Sequence, residues 1–276
     1  MITVKLNGRV GNHLWMYAVC RTVAEHNGYQ YHIPRDFLGT GIFNTELGVE
    51  QCFVSNVYNE KNSTQQLYEP QIWNIKDGTI LLGWFQNEKY IINNKKNIQE
   101  WFSIKNPNTD LINQLHIDNN TCVINFRGED YKNMPDVYLK VQFYYDSIKH
   151  MKLLNPNMKF VVITNDVAES NILFPEYPAY HFGPKDDFYI VSQASYLIIA
   201  NSTFSWWAAW LNNNSKFTIA PKYWFRHNVN QGYWCGTDSI THGWYYVDTH
   251  GELSTSNQCL REQGSQDPRN YPHELK

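Results

Sequence analysis

The sequence is poor in cysteine and in positive charge, and it lacks long apolar runs. Its 276 residues include five cysteines with no Cys-x-x-Cys pair, so neither a zinc knuckle nor a disulfide framework is indicated. The net charge of −3 offers no basic surface for a polyanion, which argues against nucleic acid as a partner. No stretch approaches 18 apolar residues, and the N-terminal residues contain no apolar signal core. We therefore expect a soluble cytoplasmic protein with at most peripheral membrane association.

Aromatic residues are abundant and make up 16% of the chain, including 10 Trp and 19 Tyr. Such rings suit sugar binding, because the apolar faces of sugars stack on them, and they suit an ordinary bulky core equally well. The hydrophobic content of 42% and the length are sufficient for one large domain or two smaller ones.

The alternation of strands and helices predicts an α/β fold with parallel strands. From about residue 117, apolar strands alternate with helices at the spacing of β-α-β units. The predicted strands cover residues 121–126, 159–164 and 196–200. Ligands of such sheets bind beyond the carboxyl ends of the strands. A polar segment follows each of these strands, so we expect the three segments to converge: residues 127–131, 165–166 and 201–205.

The most informative segment leads from a strand through Asn201, Ser202 and Thr203 into a helix that begins near Phe204. Free backbone N–H groups at a helix start favour an anion, and the hydroxyl groups add donors without adding charge. An ordinary alternative is that Ser or Thr caps the helix. Three tryptophans of this helix are expected in the core rather than in a sugar platform: Trp206, Trp207 and Trp210.

Two other turns carry candidate ligand-binding residues. Arg127, with Gly128 beside it, can clamp a phosphate in a bidentate manner, or it can form an ordinary ion pair with Glu129 or Asp130. The segment at 8–12 joins a strand to a helix, but it lacks the Gly-x-Gly-x-x-Gly pattern of a dinucleotide site.

Six segments carry a resemblance to a known family. They are GRVGN at 8–12, GWFQNEKY at 83–90, NFRGEDY at 125–131, ITND at 163–166, DFYIVS at 187–192 and ANSTFSWWAAWL at 200–211. In this order they resemble motifs of the inverting α-1,2-fucosyltransferases. The resemblance implies a GT-B fold, in which two Rossmann-like domains with parallel sheets flank a nucleotide-sugar cleft. The expected parts are an acceptor-side domain at 1–115, a GDP-sugar-binding domain at 116–245, and a C-terminal extension at 246–276. The polar composition of residues 254–276 predicts that this part of the extension is loosely packed.

The resemblance implies transfer of L-fucose from GDP-fucose to a hydroxyl of an oligosaccharide acceptor, with inversion and an α-1,2 linkage. The acceptor is expected to be a bacterial or viral surface polysaccharide. No cofactor is expected, and the lack of a DxD tripeptide favours a reaction that needs no metal. The implied catalytic residues are Arg127, which would hold the diphosphate, and Asp130.

The resemblance also implies a set of donor-binding residues. Asn165 and Asp166 would lie near the guanine or ribose, and Asp187 would be a polar anchor nearby. The remaining residues would cradle the phosphates or face the cleft from the N-terminal half: Asn201, Ser202, Thr203 and Phe204, and Arg9, Gly11 and Asn12.

The chain departs from the family pattern in its third motif. Asn125 replaces a histidine, Gly128 replaces a second arginine, and Glu129 replaces a glycine. The diphosphate would therefore meet one cation fewer, and another basic side chain could compensate: Arg9, Lys222, Arg226 or His227. Two alternatives stay open, namely another GDP-deoxyhexose donor and an inactive glycan-binding module. The candidate bases for the acceptor hydroxyl are His13, Asp36, Glu129 and Asp130.

Overall fold

The computed structural model of the chain describes residues 1–61, 67–229 and 240–265. The chain forms two compact units, which we call unit 1 (Met1–Lys105) and unit 2 (the described residues from Asn106 onwards). Each unit contains its own largely parallel sheet and its own helices. The predicted α/β class with two parallel sheets is therefore confirmed.

Unit 1 contains a four-stranded parallel sheet in the order β2-β1-β4-β3. Its elements are β1 (Ile2–Val4), α1 (Val10–His26), β2 (Tyr31–His32), β3 (Asn56–Asn59), β4 (Thr79–Leu82) and α2 (Lys95–Trp101). α2 begins only at Lys95. Two short 3₁₀ turns precede α2, and the Asn87 side chain accepts a hydrogen bond from the Lys89 amide at 3.0 Å in the first of them. Asparagine competes with helix formation through such local bonds.

Unit 2 contains a seven-stranded sheet in the order β11-β10-β9-β8-β5-β6-β7, in which only the β10–β11 pair is antiparallel. Its strands are β5 (Thr121–Phe126), β6 (Lys159–Thr164), β7 (Ala179–Tyr180), β8 (Tyr196–Ile199), β9 (Phe217–Pro221), β10 (Tyr245–Val247) and β11 (Leu253–Thr255). Its helices are α3 (Asp110–Gln114), α4 (Val141–Leu154), α5 (Val167–Leu173), α6 (Pro184–Gln193), α7 (Thr203–Trp210) and α8 (Ser256–Ser265).

The core of unit 2 explains why β5 is apolar at nearly every position. All six residues of β5 are buried, because helices cover both faces of a parallel sheet. On the face of α4, the ring of Phe126 meets those of Tyr144 and Phe174 edge to face, with centroids 5.6 Å apart in both pairs. Each fully buried apolar side chain contributes about 1.5–3 kcal/mol. The three tryptophans of α7 are also buried, which confirms their predicted place in the core.

The end of the described chain is better packed than the sequence suggested. The polar composition predicted a loose extension, yet β11 pairs with β10, and Cys259 of α8 is fully buried. The carboxylate of Glu262 in α8 pairs with the Lys222 ammonium at 2.8 Å, just beyond β9. This correction arises because a few apolar contacts and one ion pair suffice to dock a short polar helix. Residues 266–276 of the predicted extension lie outside the described residues.

Candidate functional site

The strand order of unit 2 locates its ligand-binding edge. Starting from β5, the chain moves outwards through β6 to β7, then returns to β8 on the other side of β5 and continues to β9 and β10. This is the 3-2-1-4-5-6 order of doubly wound sheets, and the point of reversal lies between β5 and β8. Ligands of such sheets bind beyond the carboxyl ends of the two strands at that point. Arg127 directly follows β5, and the segment from Ala200 to Ser202 directly follows β8.

A buried asparagine ties the two strand ends together. Asn125 donates a hydrogen bond to the Ile163 carbonyl in β6 at 2.9 Å, and its side-chain oxygen accepts one from the Ser205 hydroxyl in α7. The Asn125 carbonyl also accepts from the Ala200 amide at 3.1 Å. The start of α7 is therefore fixed beside the end of β5. In the sequence, Asn125 stood out only as a departure from the family pattern, although a polar residue inside an apolar strand was the signal.

Arg127 presents its guanidinium at this strand end. Its Nη2 pairs with Oδ1 of Asp130 at 2.6 Å, and the guanidinium carbon lies 5.1 Å from the centre of the Tyr131 ring. The side chain is 19% exposed, and its Nε is buried without a hydrogen-bond partner. Asp130 thus holds one edge of the guanidinium in place, while the buried Nε–H has no partner. A guanidinium at the end of a strand suits an anionic ligand.

The start of α7 has the geometry of an anion site. Ser202 is the N-cap residue, with extended backbone at φ −114° and ψ 133°, and its hydroxyl makes no capping hydrogen bond. Its carbonyl accepts the first helical bond, from the Trp206 amide at 2.8 Å. Thr203 and Phe204 form the first turn and are half-buried. Because the Ser202 side chain does not cap the helix, its first-turn N–H groups can meet a ligand oxygen.

Asn201, which precedes this turn, is held by hydrogen bonds to two backbone carbonyls. Its side-chain nitrogen donates to the carbonyls of Val137 and Trp224, both at 2.8 Å, and the residue is buried. Its side-chain oxygen is buried without a hydrogen-bond partner. The side chain therefore joins two neighbouring segments at the end of β8.

The residues that follow β6 form hydrogen bonds with the loop that follows β5. The Asn165 oxygen accepts from the Gly128 amide at 3.1 Å, and the Asn165 nitrogen donates to Glu129 at 2.5 Å. Asp166 accepts from the Glu129 amide at 3.0 Å and pairs with Lys132 at 2.8 Å. The Lys132 ammonium, with this amide, lowers the pKa of Asp166 to about 2. Asn165 and Asp166, which the resemblance placed near the guanine or ribose, therefore hold the loop that carries Arg127. A direct contact of either residue with a ligand stays a prediction.

Asp187 is buried at the end of β7, in the first turn of α6. One carboxylate oxygen lies 2.6 Å from Nδ1 of His181, and the other accepts from the Phe182 amide at 2.9 Å. Burial raises the pKa of Asp187, although the amide and the imidazole oppose this shift. Asp187 was predicted from the sequence and His181 was missed, because no local pattern pairs a residue after a short edge strand with a helical residue six positions later.

Three of the four basic residues that could compensate for the missing cation lie in unit 2, and the fourth, Arg9, lies in unit 1. Lys222 is buried, and its ammonium pairs with the carboxylate of Glu262. Nε of Arg226 lies 3.7 Å from Oδ1 of Asp136. His227 is only 3% exposed, and burial lowers its pKa to about 4. His227 is therefore neutral at neutral pH, so its suggested role as a compensating cation is wrong.

The buried imidazole predicts a specific loss of stability in acid. The unfolded chain binds a proton on His227 near pH 6.5, whereas the folded chain binds it only near pH 4. Stability is therefore lost as the pH falls through this window, by about 3 kcal/mol in total. Urea unfolding at pH 7 and pH 4 measures this loss of stability. In His227→Gln, which has no imidazole to protonate, the loss between the two pH values should be smaller by about 3 kcal/mol than in the wild type. Replacement of the exposed His26 by Gln is the control. An equal loss in His227→Gln and the wild type would contradict the prediction.

In unit 1, the turn between β1 and α1 carries the other predicted binding residues. Gly8 has φ +78°, and a Cβ there would lie 2.3 Å from the Asn12 side-chain nitrogen, so glycine is required. The Asn12 oxygen accepts from the Gln86 side chain at 2.9 Å, which joins this turn to the segment after β4. Arg9 is exposed and precedes the helix, whereas Gly11 is buried within it. Their contacts with a donor stay predictions.

Glu60 holds the segment after β4 and was missed from the sequence. Its Oε2 accepts from the amides of Trp84 and Phe85 at 2.7 and 3.1 Å, and Phe85 adopts φ +53°. Burial raises the pKa of Glu60, although the two amides oppose this shift. The region around Glu60 mixes short apolar runs with Gly and Asn, so no clear strand is predicted there.

The four candidate bases differ in their surroundings. His13 is buried, accepts from the Leu38 amide at 3.2 Å, and has a pKa lowered by burial. Glu129 and Asp130 are held by Asn165 and Arg127. Asp36 is exposed.

Within residues 1–61, 67–229 and 240–265, no cluster of three or more His, Cys, Asp or Glu side chains could hold a metal ion. No helix in the same ranges has the length and apolar character needed to cross a membrane.

Comparison with known proteins identifies relatives. The chain is 31% identical to an α-1,2-colitosyltransferase of Escherichia coli over 62% of its own length and 65% of that protein. It is 28% identical to the O-antigen biosynthesis glycosyltransferase WbnK of Escherichia coli, over 56% of this chain and 58% of that protein. The chain thus matches less than two thirds of the length of either relative.

Among solved structures, the fucosyltransferase NodZ from Bradyrhizobium matches with a TM-score of 0.48 and 12% identity, over 75% of this chain and 91% of that one. The model of a sequence family, Glycosyl transferase family 11, matches residues 75–248. Because this match covers more than half of the sequence, the chain belongs to glycosyl transferase family 11.

Proposed function

We propose that the chain is a glycosyltransferase that moves L-fucose from GDP-fucose to a hydroxyl of a glycan, in an α-1,2 linkage. Membership of glycosyl transferase family 11 and the names of the two Escherichia coli relatives support a glycosyl transfer. The observation that carries the proposal is that Arg127 and the start of α7 follow the two adjacent parallel strands, β5 and β8, at the reversal point of the unit 2 sheet. The O-antigen relative favours a surface polysaccharide as acceptor.

In this proposal, unit 2 stabilises the leaving diphosphate. The bond between C1 of the sugar and the phosphate oxygen breaks, and its electron pair leaves with GDP. The guanidinium of Arg127 and the N–H groups at the start of α7 stabilise that charge by preorganised electrostatics. Asp130 keeps the guanidinium in place and acts as a positioning residue. Because side chains and backbone supply the stabilisation, the scheme needs no metal.

The acceptor hydroxyl attacks C1 from the face opposite to the leaving group. A new bond between C1 and the acceptor oxygen forms, the hydroxyl proton passes to a side-chain base or to water, and the configuration at C1 is inverted. In this scheme unit 1 supplies the acceptor side, with Asn12 in the first turn of α1 and Gln86 in the segment after β4, beyond the carboxyl ends of β1 and β4. Ligands bind at such ends in open α/β sheets.

A second candidate is the same reaction with another GDP-deoxyhexose. One relative is named for colitosyl transfer, and the loop after β5 has Gly128 and Glu129 where the family pattern has an arginine and a glycine. The altered loop leaves one cation fewer near the diphosphate and changes the surroundings of the sugar.

A donor panel tests both candidates. The full chain is incubated with GDP-fucose or other GDP-deoxyhexoses and with galactoside acceptors, with and without EDTA, and products are identified by mass spectrometry and NMR. We expect one deoxyhexosyl residue to be added from GDP-fucose with inversion, and EDTA to have no effect. Transfer only from another donor supports the second candidate. Binding of glycan without binding of GDP and without transfer identifies an inactive glycan-binding module and rejects both.

A further inference from the structure

One side chain of unit 1 holds a strained segment in place. The segment at 83–86 follows β4, and Phe85 within it adopts φ +53°, a left-handed conformation that bulky residues rarely adopt. Oε2 of Glu60 accepts hydrogen bonds from the Trp84 and Phe85 amides, at 2.7 and 3.1 Å. Glu60 directly follows β3, and its own amide donates to the Leu82 carbonyl at 2.9 Å. Because strained backbone persists only where its surroundings fix it, these bonds determine the course of the segment.

The fit between Glu60 and this segment is tight. A Cβ at Gly83 would lie 2.5 Å from the Glu60 Cβ and 2.6 Å from its Oε2, so the approach requires glycine. Glu60 is 6% exposed, and its Oε1 is buried without a hydrogen-bond partner among the described residues. A buried polar oxygen without a partner costs free energy. Stability alone is therefore a poor reason for a carboxyl group at this position, and a role in a nearby site is a better one.

The turn at Phe85 directs the next side chain towards the end of β1. Gln86 is buried, and its Nε2 donates a hydrogen bond to Oδ1 of Asn12 at 2.9 Å. Asn12 lies against the turn that follows β1, since a Cβ at Gly8 would be 2.3 Å from its side-chain nitrogen. The strands β3, β4 and β1 are parallel neighbours, so their carboxyl ends share one edge of the sheet. Glu60, Gln86 and Asn12 therefore form one series of contacts along this edge.

We propose that Glu60 is a positioning residue for glycosyl transfer, because it fixes the Gln86–Asn12 pair on the acceptor side. The inference rests on the proposed function, in which unit 1 supplies that side of the reaction. Glu60 acts through the Trp84 and Phe85 amides rather than on the substrate. Loss of its carboxyl group allows the strained turn to relax, which moves the Gln86 amide away from Asn12. Displacement of a substrate-positioning group by about 1 Å can cost about a hundredfold in rate.

Steady-state kinetics of the full chain, with GDP-fucose and a galactoside acceptor, test the role of Glu60. Glu60→Ala should lower kcat/KM for the acceptor by about tenfold to a hundredfold. Its affinity for GDP, measured by calorimetry, should stay nearly unchanged, because the GDP site is proposed to lie in unit 2. Glu60→Gln keeps an oxygen acceptor in a side chain of the same shape, so it should recover most of the activity. Glu60→Asp, which is one methylene shorter, should fall between these two and takes the place of Glu60→Ala if that variant does not fold.

Two comparisons separate positioning from a general loss of structure. Gln86→Ala removes the side chain through which Glu60 acts, so adding Glu60→Ala to Gln86→Ala should lower the activity little further. The matched control is Glu69→Ala, which removes another buried carboxyl group of unit 1. That group accepts from the Tyr58 hydroxyl at 2.8 Å and from the Lys61 amide at 2.6 Å. Glu69→Ala should keep acceptor kinetics close to those of the wild type, even where thermal unfolding shows it to be as destabilised as Glu60→Ala.

The outcomes distinguish the role of Glu60 from the proposed function. Unchanged acceptor kinetics in a folded Glu60→Ala, additive effects of the Glu60 and Gln86 substitutions, or an equal kinetic loss in Glu69→Ala would each overturn the positioning role. Transfer by the wild type would then still uphold the proposed function. Absence of transfer by the wild type from every GDP-deoxyhexose would reject the proposed function, and the positioning role with it.

Discussion

Replacement of Arg127 by alanine is expected to lower the turnover of glycosyl transfer by about two to three orders of magnitude, as the loss of one preorganised charge-stabilising donor typically does. Arg127 is a cation at the end of β5, and its Nε is buried without a hydrogen-bond partner. In the proposed reaction, the variant would lose stabilisation that grows as the diphosphate leaves. Steady-state kinetics with GDP-fucose measure this effect, and kcat should fall more than the donor KM rises.

Two variants make the prediction about Arg127 specific. Arg127→Lys keeps the charge but loses the planar fork, so it should recover only part of the rate. Asp130→Asn keeps the guanidinium but weakens the 2.6 Å pair that orients it, so its rate should lie between those of the wild type and Arg127→Ala. A near-normal rate in Arg127→Ala would remove this residue from the mechanism.

Much of unit 2 was readable from the sequence because its strands are buried on both faces. The apolar runs at Thr121–Phe126 and Lys159–Thr164 were predicted with the bounds that the structure shows. Polar residues that directly follow such runs must lie at one edge of the sheet. The neighbouring positions of Arg127 and the start of α7 therefore follow from a local pattern and the parallel direction of the strands.

The roles of the polar side chains at that edge could not be read in the same way. Asn165 and Asp166 have the composition of ligand contacts, yet their hydrogen bonds go to the loop after β5. Asn125 and Ser205 are 80 residues apart and meet only because β5 and α7 are neighbours in the folded unit. Partners at such a separation leave no local signal. In unit 1, Glu60 was missed for the same reason, since the amides it binds follow a different strand.

The tryptophan cluster of α7 is expected to be the largest single source of side-chain stability near the site. Trp206 is 1% exposed, stacks on Trp210 with ring centroids 5.5 Å apart, and donates from Nε1 to the Thr241 hydroxyl at 2.8 Å. Trp206→Ala should lower the free energy of unfolding by about 3–5 kcal/mol, because it leaves a large cavity. Urea unfolding measures this change.

Trp206→Phe is the graded variant, because it keeps an aromatic ring and loses the hydrogen bond to Thr241. Trp206→Phe should lower the free energy of unfolding by less than Trp206→Ala does. Its stability can still be measured if the alanine variant does not fold. Phe53→Ala, at a side chain that is 77% exposed, should change stability by less than about 0.5 kcal/mol. A sugar platform makes the opposite prediction, since an exposed ring contributes to glycan affinity and little to folding. Weakened acceptor binding with unchanged stability in Trp206→Ala would therefore favour the platform over the core.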